Sequence, residues 1–364
     1  VTGSWARTRA RERIQDTGAG SLDDRALRRQ VLTALREVID FDAYVWLLTD
    51  PVTAVGTAPL ADVPCLPELP ALIKAKYSTP VNRWTALRRQ ASPAGLLHAA
   101  VDGDLARSLV WREVMSRYRI GDVASVVFAD QFGCWGFLDL WRQDTRPPFR
   151  EQDAEFLAGV AGPVAAALRQ CQARTFVQPA ADYRHDAGPV VLTLDDDLRI
   201  MSRTAASQAW LDVLLPPQPD ERAIPASVYN VAAQLLAAEA GIDRHPASAR
   251  THLAEGSWLT LRAARLAADE AGPGSAGHGA ADLVVTIEEA SAAERLELFG
   301  RAFGLTAREY ELLGLLATGS DTRAMARQMS LSEHTIQDHL KSVFAKTGGH
   351  DRISVLSRAL GTKA

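Results

Sequence analysis

Apolar residues set the first pattern. Leu27, Val31, Leu35 and Val38 recur at helical spacing over 22–39, and the spacing predicts an amphipathic helix there. A run of aromatic and branched residues at 43–49 then predicts a strand, closed by Asp50-Pro51. Proline-rich loops are expected over 51–70 and a helix over 104–118. Residues 123–129 and 135–141 predict two antiparallel strands around Asp130-Gln-Phe-Gly133. Phe156, Val160, Val164 and Leu168 form one stripe of a long helix over 151–174, which Pro163 should kink.

Beyond a polar linker at 176–188 the alternation returns. Strands are predicted at 189–194 and 199–202 around the turn Asp195-Asp-Asp197. Helices follow at 205–214, ended by Pro216-Pro217, and at 228–240. Residues 251–265, containing Trp258-Leu-Thr-Leu-Arg-Ala-Ala-Arg265, read as a strand, and 282–288 as another after a glycine-rich loop at 271–280. Each half thus reads as an antiparallel sheet with helices packed on it. The closing stretch Gly133-Cys-Trp-Gly-Phe-Leu-Asp-Leu-Trp141, with Pro148-Phe149 and the helix behind it, resembles a GAF domain over 21–175. Residues 189–290 resemble a PAS-like sensor fold.

From 305 onward every local rule agrees. Thr306-Ala-Arg-Glu309 is a capping box, flanked by Leu305 and Tyr310 at hydrophobic-staple positions. The helix it opens buries Leu312, Leu313 and Leu316 and stops at Gly319. A short helix at 322–329, capped by Asp321, turns Met325 and Met329 inward. Ser330 and Leu331 make a turn, and Ser332 caps a third helix whose stripe is Ile336, Leu340, Val343 and Phe344. Its opposite face is polar. Ile353, Leu356 and Leu360 mark a fourth helix. Two short helices around a tight turn, the second polar-faced, make a helix-turn-helix whose second member fits the major groove. Gln337 suits adenine, Asp338 cytosine N4, and Lys341 guanine or a phosphate. Arg308, Arg323, Lys346 and Arg352 lie where phosphate contacts would fix register.

Charge and cysteines narrow the class. The 364 residues carry a net charge of only −4, whereas 300–364 hold nine Lys/Arg against six Asp/Glu. Any footprint for nucleic acid is therefore local. The first twenty residues, with Arg7, Arg9, Arg11 and Arg13, are expected to form a disordered basic arm, and no secretory signal is read there. Cys65, Cys134 and Cys171 are far apart and in no metal-binding pattern, so buried free thiols are expected. No apolar run is long enough to cross a membrane, and a cytoplasmic location is expected.

Leu305-Thr-Ala-Arg-Glu309, Gly319, Met325-Ala326, Leu331-Ser-Glu-His-Thr-Ile336, His339, Lys346-Thr-Gly348 and Arg352 together resemble the LuxR-type tetrahelical DNA-binding domain. The resemblance implies that Gln337, Asp338 and Lys341 read bases and that Thr335 and Lys346 touch phosphates. Gln337 stands where Lys is frequent, Ala324 where Glu is, and Thr347 where Leu is. The string is similar to that of an actinobacterial subgroup with large N-terminal sensor regions.

The expectation is therefore a multidomain α+β protein ending in an all-α four-helix domain. Its parts are an arm at 1–20, a GAF-like domain at 21–175, a PAS-like domain at 189–290, a connecting helix at 291–303 and a helix-turn-helix at 304–364. Its partner is double-stranded DNA, read as a homodimer, with RNA polymerase as a further partner. Tyr44, Trp46, Trp84, Trp111 and Tyr118 are the candidate lining of a small-molecule pocket, or simply core. No cofactor or metal is called for, and Asp195-Asp196-Asp197 reads as a solvated turn. HExxH, G-x-S-x-G and a Walker A loop are all missing from the sequence, which argues against an enzyme and an ATP-dependent regulator. Two other readings stay open: a sigma-factor-like polymerase-binding protein, and a protein-binding scaffold with a vestigial helix-turn-helix.

Overall fold

The computed structural model describes residues 2–18, 22–177, 190–207, 226–253, 257–266 and 283–362. They fall into two units. One comprises Val1–Leu168, Arg184–Leu253 and Leu259–Glu288; the other comprises Arg169–Tyr183, Ala254–Trp258 and Glu289–Ala364. His185, most of the linker at 176–188, the helix at 205–214 beyond Ser207, Pro216-Pro217 and the loop at 271–280 lie outside the described residues.

The expected disordered arm is instead a helix, α1 (Thr2–Gly18). Ala10 and Ile14, one turn apart, are buried. Arg7 pairs with Asp153 at 2.7 Å, Arg13 pairs with Glu37, and the Arg11 guanidinium lies over the Phe156 ring. These arginines are held within the first unit. A two-residue apolar stripe in an arginine-rich segment is too weak a periodic signal to show this docking in advance.

Helix α2 (Asp24–Arg36) is capped by Asp23, whose side chain accepts from the Ala26 N–H. The first sheet contains β1 (Ala43–Thr49), β2 (Gly56–Asp62), β3 (Ala94–Leu96), β4 (Ile120–Asp130) and β5 (Gly133–Gln143). Its strand order is β2-β1-β5-β4-β3, antiparallel throughout. Strand β2 occupies part of the expected loop at 51–70. It is an edge strand, which is why it accommodates Pro59.

Between β2 and β4 run α3 (Leu69–Ser78), α4 (Trp84–Leu87), α5 (Leu97–Ala100) and α6 (Leu109–Glu113). The single helix expected over 104–118 is broken, because Ser108 caps α6 and 3₁₀ turns flank it. The hairpin between β4 and β5 is closed by Asp130, whose Oδ1 accepts from the N–H of Phe132 and Gly133 and from Trp135 Nε1. Helix α7 (Glu151–Thr175) follows, with Pro163 inside it.

The second sheet holds β6 (Val190–Leu194), β7 (Ile200–Arg203), β8 (Ser248–His252), β9 (Trp258–Arg265) and β10 (Leu283–Glu289), in the order β7-β6-β10-β9-β8. Helix α8 (Ala226–Glu239) precedes β8. The one strand expected over 251–265 is two. In the turn between β6 and β7 each aspartate faces a cation: Asp195 faces Arg199, Asp196 faces Arg265 and Asp197 faces Lys74.

Both sheets share one core in the first unit. Leu47, Phe137, Tyr77 and Trp84 pack in the same cluster as Leu192, Leu194, Val231 and Leu259. Each large apolar side chain so buried contributes about 1.5–3 kcal/mol. Two buried ion pairs cross that core. Arg250 grips Asp50 through Nε at 2.6 Å and a terminal nitrogen at 2.9 Å, and its backbone N–H adds a third bond. Arg83 Nε meets Asp243 at 2.8 Å and donates also to Tyr77 O and Gln234. Burial would raise the Asp243 pKa, but bonds from His245, Thr85 and Arg83 hold it well below the usual carboxylate range. Asn230 Nδ2 donates to Gly56 O at 2.9 Å, and Thr53 Oγ1 to Ser248 O at 2.7 Å.

The second unit contains α9 (Ala292–Ala302), α10 (Ala307–Ala317), α11 (Thr322–Met329), α12 (Glu333–Thr347) and α13 (Arg352–Leu360). Phe176 and Trp258 stack within its core at 5.3 Å, beside Phe299. Among the described residues no helix is long and apolar enough to cross a membrane.

Asp50 can be tested directly. Asp50→Ala removes the carboxylate that faces a guanidinium side chain only 7% exposed. It should destabilise the first unit by about 3–5 kcal/mol in chemical denaturation followed by tryptophan fluorescence. A loss below about 1 kcal/mol would show that the pair is incidental.

Candidate nucleic-acid interface

The interface is built on helix caps. Thr306 Oγ1 accepts the Glu309 N–H, and Glu309 Oε2 accepts the Thr306 N–H at 2.7 Å, so both halves of the capping box form. Asp321 caps α11 by accepting from the Ala324 N–H at 2.7 Å. Ser330 ends α11 in the left-handed region at φ 56°, which turns the chain sharply. Two residues later Ser332 caps α12, accepting the Thr335 N–H at 3.1 Å. Three residues thus separate the helices.

Side-chain periodicity divides α12 into two faces. Ile336, Leu340 and Val343 are buried. Ile336 and Leu340 pack with Met325 and Met329 of α11 and with Leu312 and Leu316 of α10. Gln337, Asp338 and Lys341 lie together on the exposed face, where the 3.6-residue repeat puts them. The Gln337 carboxamide makes no side-chain hydrogen bond among the described residues and keeps its donor and acceptor available. Asp338 pairs with Lys341 at 3.2 Å, which offsets that positive charge locally, and its other oxygen lies 3.6 Å from His334 Nε2.

The five backbone candidates are placed differently from one another. Arg308 is exposed and pairs with Glu311 at 2.8 Å. Arg323 is exposed at the start of α11. Arg352, at the start of α13, donates to Thr322 Oγ1 at 2.6 Å, which ties the start of α13 to the start of α11. The Thr335 hydroxyl bonds with the Ser332 hydroxyl at 2.8 Å. Lys346 points partly inward: its ammonium bonds Glu309 Oε2 at 2.6 Å and Gly304 O at 3.3 Å. Two of its three N–H donors are thereby used.

That inward turn exposes a contact the capping box does not announce. Glu309 is 4% exposed, and its Oε1 also accepts from Ser342 Oγ at 2.6 Å. Burial pushes its pKa up, but the bonds from Lys346, Ser342 and Thr306 outweigh that and hold it at about 2. One carboxylate therefore closes the cap of α10 and anchors α12. The local signal for it was the glutamate of the capping box; its partners lie more than thirty positions further along the chain.

The candidate small-molecule pocket is not formed by the residues expected to line it. Trp46 and Leu47 alternate along β1 and so face opposite sides of the sheet. Trp46 packs against Phe128, whereas Trp84 stacks on Phe137, the cross-strand partner of Leu47. Tyr44 lies edge-on to Phe41, Trp111 Nε1 donates to Ile120 O, and the Tyr118 hydroxyl donates to Glu68. Nearby, a cavity of about 20 Å³ lined by Lys76, Asn82, Val123 and Ser125 has room for about one water. Cys65, Cys134 and Cys171 are buried and none is in a disulfide, and burial lifts the Cys65 thiol to about 11.

Comparison with known proteins bears on the same segment. Residues 304–359 match the family model described as bacterial regulatory proteins, luxR family, so the C-terminal helices form a helix-turn-helix domain of that kind. The monoamine regulon transcriptional regulator of Klebsiella aerogenes is 39% identical over 54 residues, which cover 15% of this chain and 24% of that protein. The chain thus spans about a quarter of the length of the curated relative it matches. Among solved structures, the Vibrio cholera VqmA–ligand–DNA complex is 17% identical, covering 49% of this chain and 86% of that one, with a TM-score of 0.21. The Vibrio cholerae VqmA dimer in the absence of target DNA is 18% identical, covering 48% and 83%, with a TM-score of 0.17.

Glu309 gives a pH signature. Its folded pKa lies below its unfolded value, so its stabilisation is complete above about pH 4.5 and is lost as pH falls towards 2. Amide hydrogen exchange of α10 and α12 in the full chain should show protection falling through that window. Glu309→Gln should lower protection at pH 7 by about 2–4 kcal/mol and flatten the acid dependence. An unchanged pH profile in the variant would remove Glu309 from this role.

Proposed function

We propose that this protein is a sequence-specific DNA-binding transcription regulator, acting in the cytoplasm and controlled through its N-terminal unit. The observation that carries the reading is the exposed cluster Gln337, Asp338 and Lys341 on the second helix of a tightly turned pair, within a segment that matches a luxR-family model. A helix of this kind fits a major groove about 12 Å wide, where each base pair presents a distinct donor–acceptor pattern. The relative that matches this segment is named a transcriptional regulator.

In this reading Gln337 pairs with adenine, Asp338 accepts from cytosine N4, and Lys341 reaches guanine. Arg308, Arg323, Thr335, Arg352 and the remaining donor of Lys346 hold phosphates. A single recognition helix reads only a few base pairs, so the protein binds as a homodimer on half-sites about one helical turn apart. The residues at 21–175 and 189–290 act as GAF-like and PAS-like sensors, with α9 as the connection to the reading head.

Selection of randomised duplex DNA on the full chain tests the class: a two-fold-related motif should be enriched, and no enrichment would overturn it. Lys341→Ala should cost about 1–3 kcal/mol on the selected site and relax preference at one base pair. Arg323→Ala should weaken binding to all sequences alike and lower the slope of log affinity against log salt by about one. Both are read by fluorescence anisotropy across a salt series, and a sequence-selective loss in Arg323→Ala would contradict its backbone role.

A further inference from the structure

The first unit carries a cleft of about 490 Å³ where α1, the end of β5 and the start of α7 meet. That volume lies within the usual range for small-molecule sites. Four guanidinium groups line it, from Arg7, Arg142, Arg146 and Arg150, against two carboxylates, from Asp40 and Asp153. Two of the four cations are matched: Arg7 pairs with Asp153, and Arg146 with Asp40.

The other two are not. Arg142 is 8% exposed, yet it is bonded only to carbonyl oxygens. Nε and one terminal nitrogen share Asp40 O, the other terminal nitrogen donates to Pro147 O, and the Phe149 ring lies 3.9 Å away. Among the described residues no carboxylate lies within ion-pair distance of it, and two of its five N–H donors have no protein acceptor. A nearly buried charge ordinarily sits opposite its counter-charge, because desolvation is otherwise uncompensated. Arg150 is exposed at the mouth, and its guanidinium likewise has no partner among the described residues. Its backbone N–H donates to Asp153 Oδ2, which fixes the chain there. A planar guanidinium fork is matched in geometry to an oxyanion.

We infer that this cleft is an anion-binding site, taking a small molecule through a phosphate or carboxylate group held between Arg142 and Arg150. The anion completes the charge balance of the wall. It also bridges the end of β5 to the start of α7, while Arg7 of α1 lines the same cleft. The site is separate from the DNA-reading helix, and binding is measured with no DNA present, so its failure would leave the DNA-binding reading untouched.

The test is calorimetric titration of the full chain with sodium phosphate and, separately, with succinate, at constant ionic strength set by chloride. Saturable one-to-one binding of either is expected, and which one binds identifies the group recognised. Arg150→Ala should weaken that binding at least tenfold, whereas Arg89→Ala, the same change of charge at another exposed position, should leave it unchanged. Arg142→Lys, which keeps the charge and loses the fork, should also weaken it. No saturable binding of either anion would overturn the proposal. So would equal weakening by Arg150→Ala and Arg89→Ala, which would reduce the effect to net charge.

Discussion

The carboxylate of Glu309 is the contact on which the C-terminal helix-turn-helix depends. It receives the Thr306 N–H, the Ser342 hydroxyl and the Lys346 ammonium while almost wholly removed from solvent. A charge buried in this way is stable only when every partner is in place. The α10 cap, the middle of α12 and the last turn of α12 are therefore fixed relative to one another. Apolar packing of Ile336 and Leu340 sets which face of α12 is inward. The ion pair adds direction, because a bond at 2.6 Å tolerates little sliding of one helix along the other. The exposed face with Gln337, Asp338 and Lys341 is the consequence.

The first unit uses the same device on a larger scale. Two sheets could each bury a face by themselves. Here they share a core, and Asp50–Arg250 and Arg83–Asp243 run through it with all four side chains nearly buried. Ion pairs in such a setting add less net stability than apolar residues of equal size would. They do impose registry: a shift of β8 would strand Arg250 from Asp50, and a shift of the start of α4 against the loop after α8 would strand Arg83 from Asp243. A unit built this way moves as one body, and an anion bound at the arginine-lined cleft, as proposed, would act on α1, β5 and α7 together.

Much of this was legible in the residue order, and the reason is locality. Capping, turn chemistry and helical periodicity act within four or five residues, so the C-terminal helices, the β4–β5 hairpin and the long α7 could be read directly. The edge strand β2 was hidden because Pro59 and small residues give no alternation. Helix α1 was hidden because, among its described side chains, only Ala10 and Ile14 are buried, and its arginines find their carboxylates on other elements.

The aromatic residues show the limit most clearly. Tyr44, Trp46, Trp84, Trp111 and Tyr118 are all core-like in composition, but which side of a sheet each takes depends on strand register and on which helix covers it. By itself the sequence determined the four C-terminal helices, their caps and the exposed trio on α12, because each is decided by neighbours along the chain. Only the tertiary structure decided that Lys346 turns towards Glu309, that two sheets make one unit, and that Arg142 and Arg150 face one cleft. Those outcomes require groups tens to hundreds of residues apart to meet, and the energy of their meeting is not written in any local pattern.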